Sequence, residues 1–292
     1  MTTLLRTVPA PGLVLGGIVS VQVGAGVAKG LFDELSPSAV VFIRLLTSAV
    51  VLVLATRMIL RAQLRGASRS SLLVLVAFGL VLAVMNFSIY QSFARIPLGI
   101  AVTIEFLGPL GVSVAYSRRR LDLIWVVLAG FGVVLLTRGE AGELDPVGVV
   151  FALVAGACWA GYILLSAQTG RRFEGTSGLA VASVVGTIAM APIGLAEGGT
   201  QLWEPRLLAA GIAVGLLSSA LPYTLELEAL RRMSAKVFGI LMSVEPAVAA
   251  MVGLVLLGEV LHLREWSAIG CVVVACIGAT RTGRPAPEAP EA

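Results

Sequence analysis

Residues 71–92, SLLVLVAFGLVLAVMNFSIYQS, run without a single charged side chain. A helix needs about 17–25 mainly apolar residues to cross a bilayer, and this stretch meets that length. The whole chain shares the bias: of its 292 residues 58% are hydrophobic and 13% are charged, and the mean hydropathy is +0.97. Soluble domains average about 45–50% apolar and about 25% charged residues. A lipid surrounding is therefore the simplest account of this composition.

Nine further segments of the same kind flank this stretch, which gives ten predicted spans. Their predicted bounds are 11–31, 38–60, 71–92, 98–117, 123–138, 147–168, 177–197, 206–230, 236–257 and 265–281. The fifth and the tenth are short for a span. The sequence thus predicts an all-α membrane protein with ten transmembrane helices.

The basic residues predict the orientation of these spans. With the N-terminus inside, the inner loops and termini hold 15 of the 21 Lys and Arg residues, the outer side holds five, and Arg44 lies within a span. Positive charge concentrates on the cytoplasmic side of membrane proteins, so we expect both termini inside (N-in/C-in) and a multi-pass protein of a bacterial inner (cytoplasmic) membrane. The tail 282–292, rich in Pro and Glu, is expected to be a disordered cytoplasmic segment.

An internal repeat is suggested by sliding the chain along itself by 137 residues. The first four spans then fall on the sixth to ninth, and Pro109 meets Pro246. The predicted repeat units are residues 10–138 and 146–281. Because each unit has five spans, an odd number, the two repeats must be inverted relative to each other. Inverted repeats place a transporter's site near the membrane midplane, between the halves.

Five charged side chains lie well inside predicted spans, away from the span ends, and a charge at the helix centre costs about 2.5–3.5 kcal/mol on insertion scales. They are Arg44, Glu105, Glu226, Glu228 and Glu245. Glu105 and Glu245 fall near the midplane, and each has a proline shortly after it in the sequence. A proline frees a backbone carbonyl and kinks its helix, so both positions suit a polar ligand or a proton.

Each of these charges also has a purely structural alternative. Glu105 either binds a ligand or proton, or forms an ion pair with Arg44. Arg44 either clamps a substrate carboxylate bidentately or neutralises Glu105. Glu228 is expected to pair with Arg231 or Arg232 near the inner surface, and the role of Glu226 stays open.

Neutral polar residues supply candidates for a cavity lining. Gln22, Gly26 and Lys29 share one face of the first span by their i, i+4, i+7 spacing. Single residues of this kind more often serve packing or the interfacial belt. Together they favour a polar cavity with aromatic walls, and the further candidates are Asn86, Tyr90, Trp159, Tyr162, Tyr223 and Ser243.

Other function classes find little support in the sequence. His262 is the one histidine, so a catalytic metal would lack its usual ligands, and no metal site is expected. The three cysteines lie inside apolar runs. No protease, hydrolase or nucleotide-binding motif occurs, which leaves an intramembrane enzyme as a remote alternative. The basic clusters have no interleaved aromatic residues, so no nucleic-acid partner is expected.

Four segments resemble the drug/metabolite transporter superfamily, and the two halves resemble tandem EamA domains. The segments are Pro97–Pro109, Gly156–Leu164, Ala220–Glu226 and Phe238–Ala247. Within the superfamily the chain is most similar to threonine/homoserine exporters. This resemblance implies ten helices in an inverted five-plus-five arrangement around a central cavity. It also implies efflux of small amino acids, with the proton gradient as the coupling source and no cofactor.

The resemblance leaves the substrate itself open. An importer, or an exporter of other metabolites such as aromatic or xenobiotic compounds, is the main alternative within the superfamily. The expected partners are a small amino-acid substrate and the lipid bilayer, and the chain acts as a monomer or a homodimer.

Overall fold

The computed structural model describes residues 8–116, 122–137 and 144–282, and every regular element within these ranges is helical. Nine helices there are long and apolar enough to cross a membrane. A tenth, α5, is apolar but shorter, and both of its flanks lie outside the described residues. The helices are α1 (Ala10–Gly30), α2 (Pro37–Gly66), α3 (Arg69–Phe93), α4 (Leu98–Glu105 and Leu107–Tyr116), α5 (Leu123–Thr137), α6 (Pro146–Gly170), α7 (Ser177–Gly198), α8 (Pro205–Leu230), α9 (Ala235–Met242 and Glu245–Leu257) and α10 (Leu263–Thr282).

The chain is thus an all-helical, multi-pass membrane protein, as its composition predicted. Several helices are longer than predicted, and α2 departs most because it continues to Gly66. Helix α10, predicted to be short, has 20 residues. Prolines and caps set several helix starts: Pro37 follows the capping Ser36, and Pro146 follows the capping Asp145. The predicted tail, from residue 283 onward, lies outside the described residues.

Two helices are interrupted near their middle, and each interruption lies within four residues before a proline that was predicted to kink the helix. The first segment of α4 ends at Glu105, and the second segment of α9 begins at Glu245. Pro109 has no N–H to donate to the carbonyl of Glu105, four residues earlier, and Pro246 leaves the carbonyl of Met242 without its usual donor in the same way.

The structure also contains an irregularity that the sequence reading missed. Residues Leu216–Ala220 of α8, expected to be regular, form a π-helical turn. Pro222 lacks the N–H that would bond the carbonyl of Ser218, so this carbonyl also becomes available.

Packing brings helices of the two halves of the chain together in matching pairs. Helix α3 packs on α6 and α1 packs on α8, while α4 contacts α6 and α9 contacts α1. Three further contacts join α2 to α7, α4 to α9 and α5 to α10. A Cβ on Gly108 would lie far inside van der Waals contact of the Gly156 carbonyl, so glycine is required where α4 crosses α6.

Side-chain contacts define two ends of the bundle. At the end where α1 begins, here called the N-side, Arg232 donates to the carbonyl of Val8 and Lys236 donates to that of Arg281. At the other end, here called the far side, Lys29 pairs with Glu259. By these contacts α1 and α9 begin at the N-side, whereas α8 and α10 end there.

Candidate functional site: a central cavity

A cavity of about 430 Å³ lies at the centre of the bundle and touches every helix except α5. The sequence predicted ten residues for substrate or proton binding, and the structure places all of them on the wall of this cavity. They are Gln22, Arg44, Asn86, Tyr90, Glu105, Trp159, Tyr162, Tyr223, Ser243 and Glu245.

The two ends of the cavity differ in burial. On the far side, Phe93 of the wall and the adjacent Ile96 and Leu98 are almost completely buried. Towards the N-side, the wall residues Ile163 and Phe238 are only half-buried. The wall is therefore more tightly packed on the far side than towards the N-side.

Arg44 reaches into the cavity from α2 and is held by neutral groups. Its Nη1 donates to the Tyr90 hydroxyl at 3.2 Å, and its Nη2 donates to the carbonyl of Ser218 at 3.5 Å. The guanidinium carbon lies 5.4 Å from the centre of the Tyr90 ring, a cation–π distance. Within the described ranges no carboxylate oxygen comes within 4.0 Å of Arg44. The suggested Arg44–Glu105 ion pair is therefore not formed, and guanidinium donors remain for a ligand.

Glu105 lies at the break of α4 and faces the cavity with 9% of its surface exposed. None of the described residues donates a hydrogen bond to its carboxylate. Its backbone carbonyl, which Pro109 leaves without a donor, lies against α6, where a Cβ on Gly156 would be 2.7 Å from the oxygen. Close packing of α6 thus fixes the backbone and leaves the side chain available.

Glu245 lies at the break of α9 and is already engaged. Its Oε1 accepts a hydrogen bond from Nε2 of Gln22 on α1, at 2.8 Å. The remaining oxygens of the pair, Glu245 Oε2 and Gln22 Oε1, are fully buried and have no partner in the described part of the chain. The two groups form a buried contact between the halves of the chain.

Two glutamates on α8 have different surroundings, which settles part of what the sequence left open. Glu226 lies on the cavity wall and packs against α1, where a Cβ on Gly17 would be 3.4 Å from its Cγ. Glu228 pairs with Arg231 and Arg232 on its own helix, as predicted. Glu226 therefore joins Glu105 and Glu245 as a third carboxyl group on the cavity wall.

Aromatic side chains form one wall and contact one another. The hydroxyls of Tyr162 and Tyr223 are 3.5 Å apart, and the ring of Trp159 meets that of Phe106 edge-on at 4.9 Å. The smaller polar residues bond within their own helices: Asn86 donates to the carbonyl of Leu82, and Ser243 to that of Gly239. The predicted polar and aromatic residues thus line one cavity, together with many apolar side chains.

Gly26 and Lys29, which share a face of α1 with Gln22, were candidates for the lining, but neither lies on the cavity wall. The Nζ of Lys29 lies 2.6 Å from Glu259 Oε1 and donates to the carbonyl of Ile96 at 2.8 Å. Glu259 Oε2 accepts the N–H of Leu98 at the start of α4, at 2.8 Å. Two more turns of α1 carry Lys29 beyond the cavity to the far side, where it joins α1, α4 and the chain after α9.

Sequence reasoning missed several lining groups. The carbonyl of Ser218 contacts Arg44, and Ser48, Ser183 and Cys276 also line the cavity. The sequence signal for the carbonyl was the spacing of Ser218 and Pro222, four residues apart. No cluster of metal-binding side chains occurs among the described residues.

Comparison with known proteins identifies the family. The model of the EamA-like transporter family matches residues 146–281. The threonine/homoserine exporter RhtA of Salmonella typhimurium (strain SL1344) is 41% identical over 271 residues, which is 92% of this chain and 90% of that protein. The chain belongs to the EamA-like transporter family. It is therefore a membrane transporter and not an enzyme.

One further relative and one solved structure also match the chain. RhtA of Escherichia coli (strain K12) is 39% identical over 274 residues, covering 93% of this chain and 91% of that one. A solved crystal structure aligns with a TM-score of 0.58 and 16% identity, covering 92% of this chain and 96% of its own. At that identity the likeness concerns the fold alone.

Proposed function

We propose that this EamA transporter exports small amino acids of the threonine/homoserine kind by proton-coupled alternating access. The observation that carries the proposal is that two oppositely charged side chains face the same cavity and do not neutralise each other. Arg44 has no carboxylate partner among the described residues, and Glu105 faces the same cavity without a hydrogen-bond donor. A guanidinium and a carboxylate across one small cavity suit the carboxylate and ammonium of an amino acid. The substrates named for the RhtA relatives support the same class.

The proposed topology places the N-side in the cytoplasm of a bacterial inner membrane. The predicted excess of basic residues at that end supports this orientation. The proposed inverted repeat, residues 10–138 and 146–281, has support from the paired contacts. An offset of 137 residues maps α3 onto α8 and α1 onto α6, so the α3–α6 contact and the α8–α1 contact are equivalent in the two halves. The same offset maps Phe106, at the break of α4, onto Ser243, at the break of α9.

In this orientation the less tightly packed end of the cavity faces the cytoplasm, and the substrate binds from that side. The substrate carboxylate binds Arg44 and its ammonium binds Glu105, whose proton leaves to the cytoplasm. After the halves rock, the substrate leaves outward and Glu105 takes a proton from outside. One proton thus enters at Glu105 for each substrate molecule exported.

The far-side network forms the closed gate of this state. Lys29, Glu259 and the start of α4 hold three parts of the bundle together. Lys29 and Glu259 are partly buried, with 21% and 14% of their side-chain surfaces exposed. Opening to the outside requires these bonds to exchange with water.

The test is transport by the purified protein in proteoliposomes, with threonine, homoserine and a panel of aromatic and xenobiotic compounds. Counterflow of labelled threonine or homoserine is the expected result. Counterflow of the aromatic compounds alone would contradict the amino-acid proposal and favour the alternative substrates. Efflux from cells that lack their own exporter then tests the direction of transport, since import would contradict export.

A further inference from the structure

The cavity wall carries more negative than positive groups. Its described residues include three carboxyl groups, Glu105, Glu226 and Glu245, and one basic group, the Arg44 guanidinium. A zwitterionic amino acid brings no net charge, so substrate binding does not correct this imbalance. An unpaired ionised carboxylate costs several kcal/mol to bury, and buried carboxyl groups commonly avoid that cost by binding a proton.

Glu245 differs from the other two carboxyl groups in its partner. Gln22 holds its Oε1 at 2.8 Å, and both residues are more than nine-tenths buried, with exposed fractions of 2% and 6%. Glu245 Oε2 and Gln22 Oε1 are both acceptors, and each lacks a donor in the described part of the chain. An unsatisfied buried acceptor is costly. Two such acceptors on one hydrogen-bonded pair indicate that a bound proton lies between them, because one proton would satisfy both oxygens.

We infer that Gln22 and Glu245 form a proton-binding site separate from the exchange site at Glu105. A proton on Glu245 Oε2 turns this oxygen into a donor, and Gln22 Oε1 is the acceptor on the group it already contacts. The pair then has two hydrogen bonds in opposite directions. The inference rests on the proposed function only for its meaning in transport, since proton binding at this pair follows from its own geometry.

A metal ion fits this position poorly. Hard cations take six or more oxygen ligands, whereas the pair offers two oxygens that are already fully buried. The described residues contain no cluster of His, Cys, Asp or Glu that could hold a metal. A proton needs neither extra ligands nor extra volume.

The surroundings of the pair define what its proton responds to. The second segment of α9 packs against α1, the first segment of α4, and α10. On the cavity wall α4 presents Glu105 and α10 presents Cys276, while Glu226 and Arg44 face the cavity from α8 and α2. Loss of the proton leaves a buried carboxylate between α1 and α9. The proton therefore stabilises the packing of α1 on α9, which is a contact between the two halves.

Infrared spectroscopy of the purified full-length protein in lipid tests this site without any substrate or transport. The C=O stretch of a protonated carboxyl is resolved from that of a carboxylate, and it shifts to higher frequency when a hydrogen bond is lost. We expect Glu245→Gln to remove a protonated-carboxyl band and Gln22→Leu to shift it upward. Glu197→Gln, an exposed carboxyl at the end of α7, is the matched control and leaves that band in place.

The assignment is overturned if Glu245→Gln removes only carboxylate bands, or if Gln22→Leu leaves the Glu245 band unmoved in a protein that retains its helical circular dichroism. Glu105→Gln identifies the band of the Glu105 carboxyl group by removing it. If the two sites are separate, Gln22→Leu must leave that Glu105 band at its original frequency. Failure of threonine counterflow would contradict the proposed function and would leave these spectra unchanged. The two proposals therefore fail by different measurements.

Discussion

Helices α4 and α9 are both interrupted near their middle, yet the glutamates beside the two breaks have different surroundings. The last residue before the break in α4 is Glu105, which has no donor among the described residues and faces the cavity. The first residue after the break in α9 is Glu245, which is bonded to Gln22. A proline frees one carbonyl in each helix. The same interruption of the helix thus leaves one carboxyl group facing the cavity and holds another in a buried pair.

The largest effect is expected when a substitution removes the positively charged Arg44, which faces the same cavity as Glu105. Arg44→Leu should weaken threonine binding by about 100-fold or more, because the substrate carboxylate loses its charged partner. Arg44→Lys keeps the charge without the planar fork and should bind with intermediate affinity. Concentration-dependent counterflow in proteoliposomes measures both variants. Arg171→Leu, at an exposed position, is the control. Normal threonine affinity in Arg44→Leu would contradict a substrate-binding role for Arg44.

The next effect concerns the packing that fixes the break of α4. Gly108→Ala places a methyl group against the Gly156 carbonyl and should lower stability by about 1–3 kcal/mol. Gly111→Ala, one turn later with no neighbour within 4 Å, should be neutral or stabilising by up to about 1 kcal/mol. Apparent melting temperature in the same detergent compares the two variants. Equal melting temperatures would show that α4 and α6 do not touch as described.

A smaller effect is expected where α4 begins and α9 ends. Glu259→Gln keeps an oxygen for the Leu98 N–H but loses the charge opposite Lys29, whereas Glu259→Leu loses both. We expect the leucine variant to be the less stable by about 1 kcal/mol. Thermal unfolding of both variants is the measurement. A glutamine variant as unstable as the leucine variant would place the effect in the ion pair and not in the helix cap.

The smallest effect comes from the two glutamates of α8. Glu228→Gln breaks exposed pairs with Arg231 and Arg232 and should change stability by about 0–1 kcal/mol, without effect on transport. Glu226→Gln removes a carboxyl group from the cavity wall and should slow transport. The rates of threonine counterflow distinguish them. Equal rates would remove Glu226 from the functional lining.

Local chemistry made part of this molecule predictable. The apolar runs gave the spans, and Pro109 and Pro246 gave the breaks, because a missing N–H acts within one helical turn. The resemblance to exporters added the family, which the relatives confirm. The ten candidate residues share a wall because a costly polar group in a span faces the interior.

Tertiary contacts explain what the sequence did not reveal. The Gln22–Glu245 pair joins residues 223 positions apart, so its register depends on how α1 crosses α9. Lys29 lies on the same helical face as Gln22, but the cavity does not extend as far along α1 as Lys29. The Ser218 carbonyl is a backbone group, and its role depends on the π-helical turn beside Pro222.

Coupling of substrate export to proton entry at Glu105, as proposed, is tested by transport under a pH gradient. Efflux of labelled threonine from proteoliposomes is measured with and without an imposed pH gradient. We expect the gradient to accelerate efflux by the wild type and by Glu197→Gln, and we expect Glu105→Gln to lose the acceleration. Unchanged acceleration in Glu105→Gln would contradict the claim.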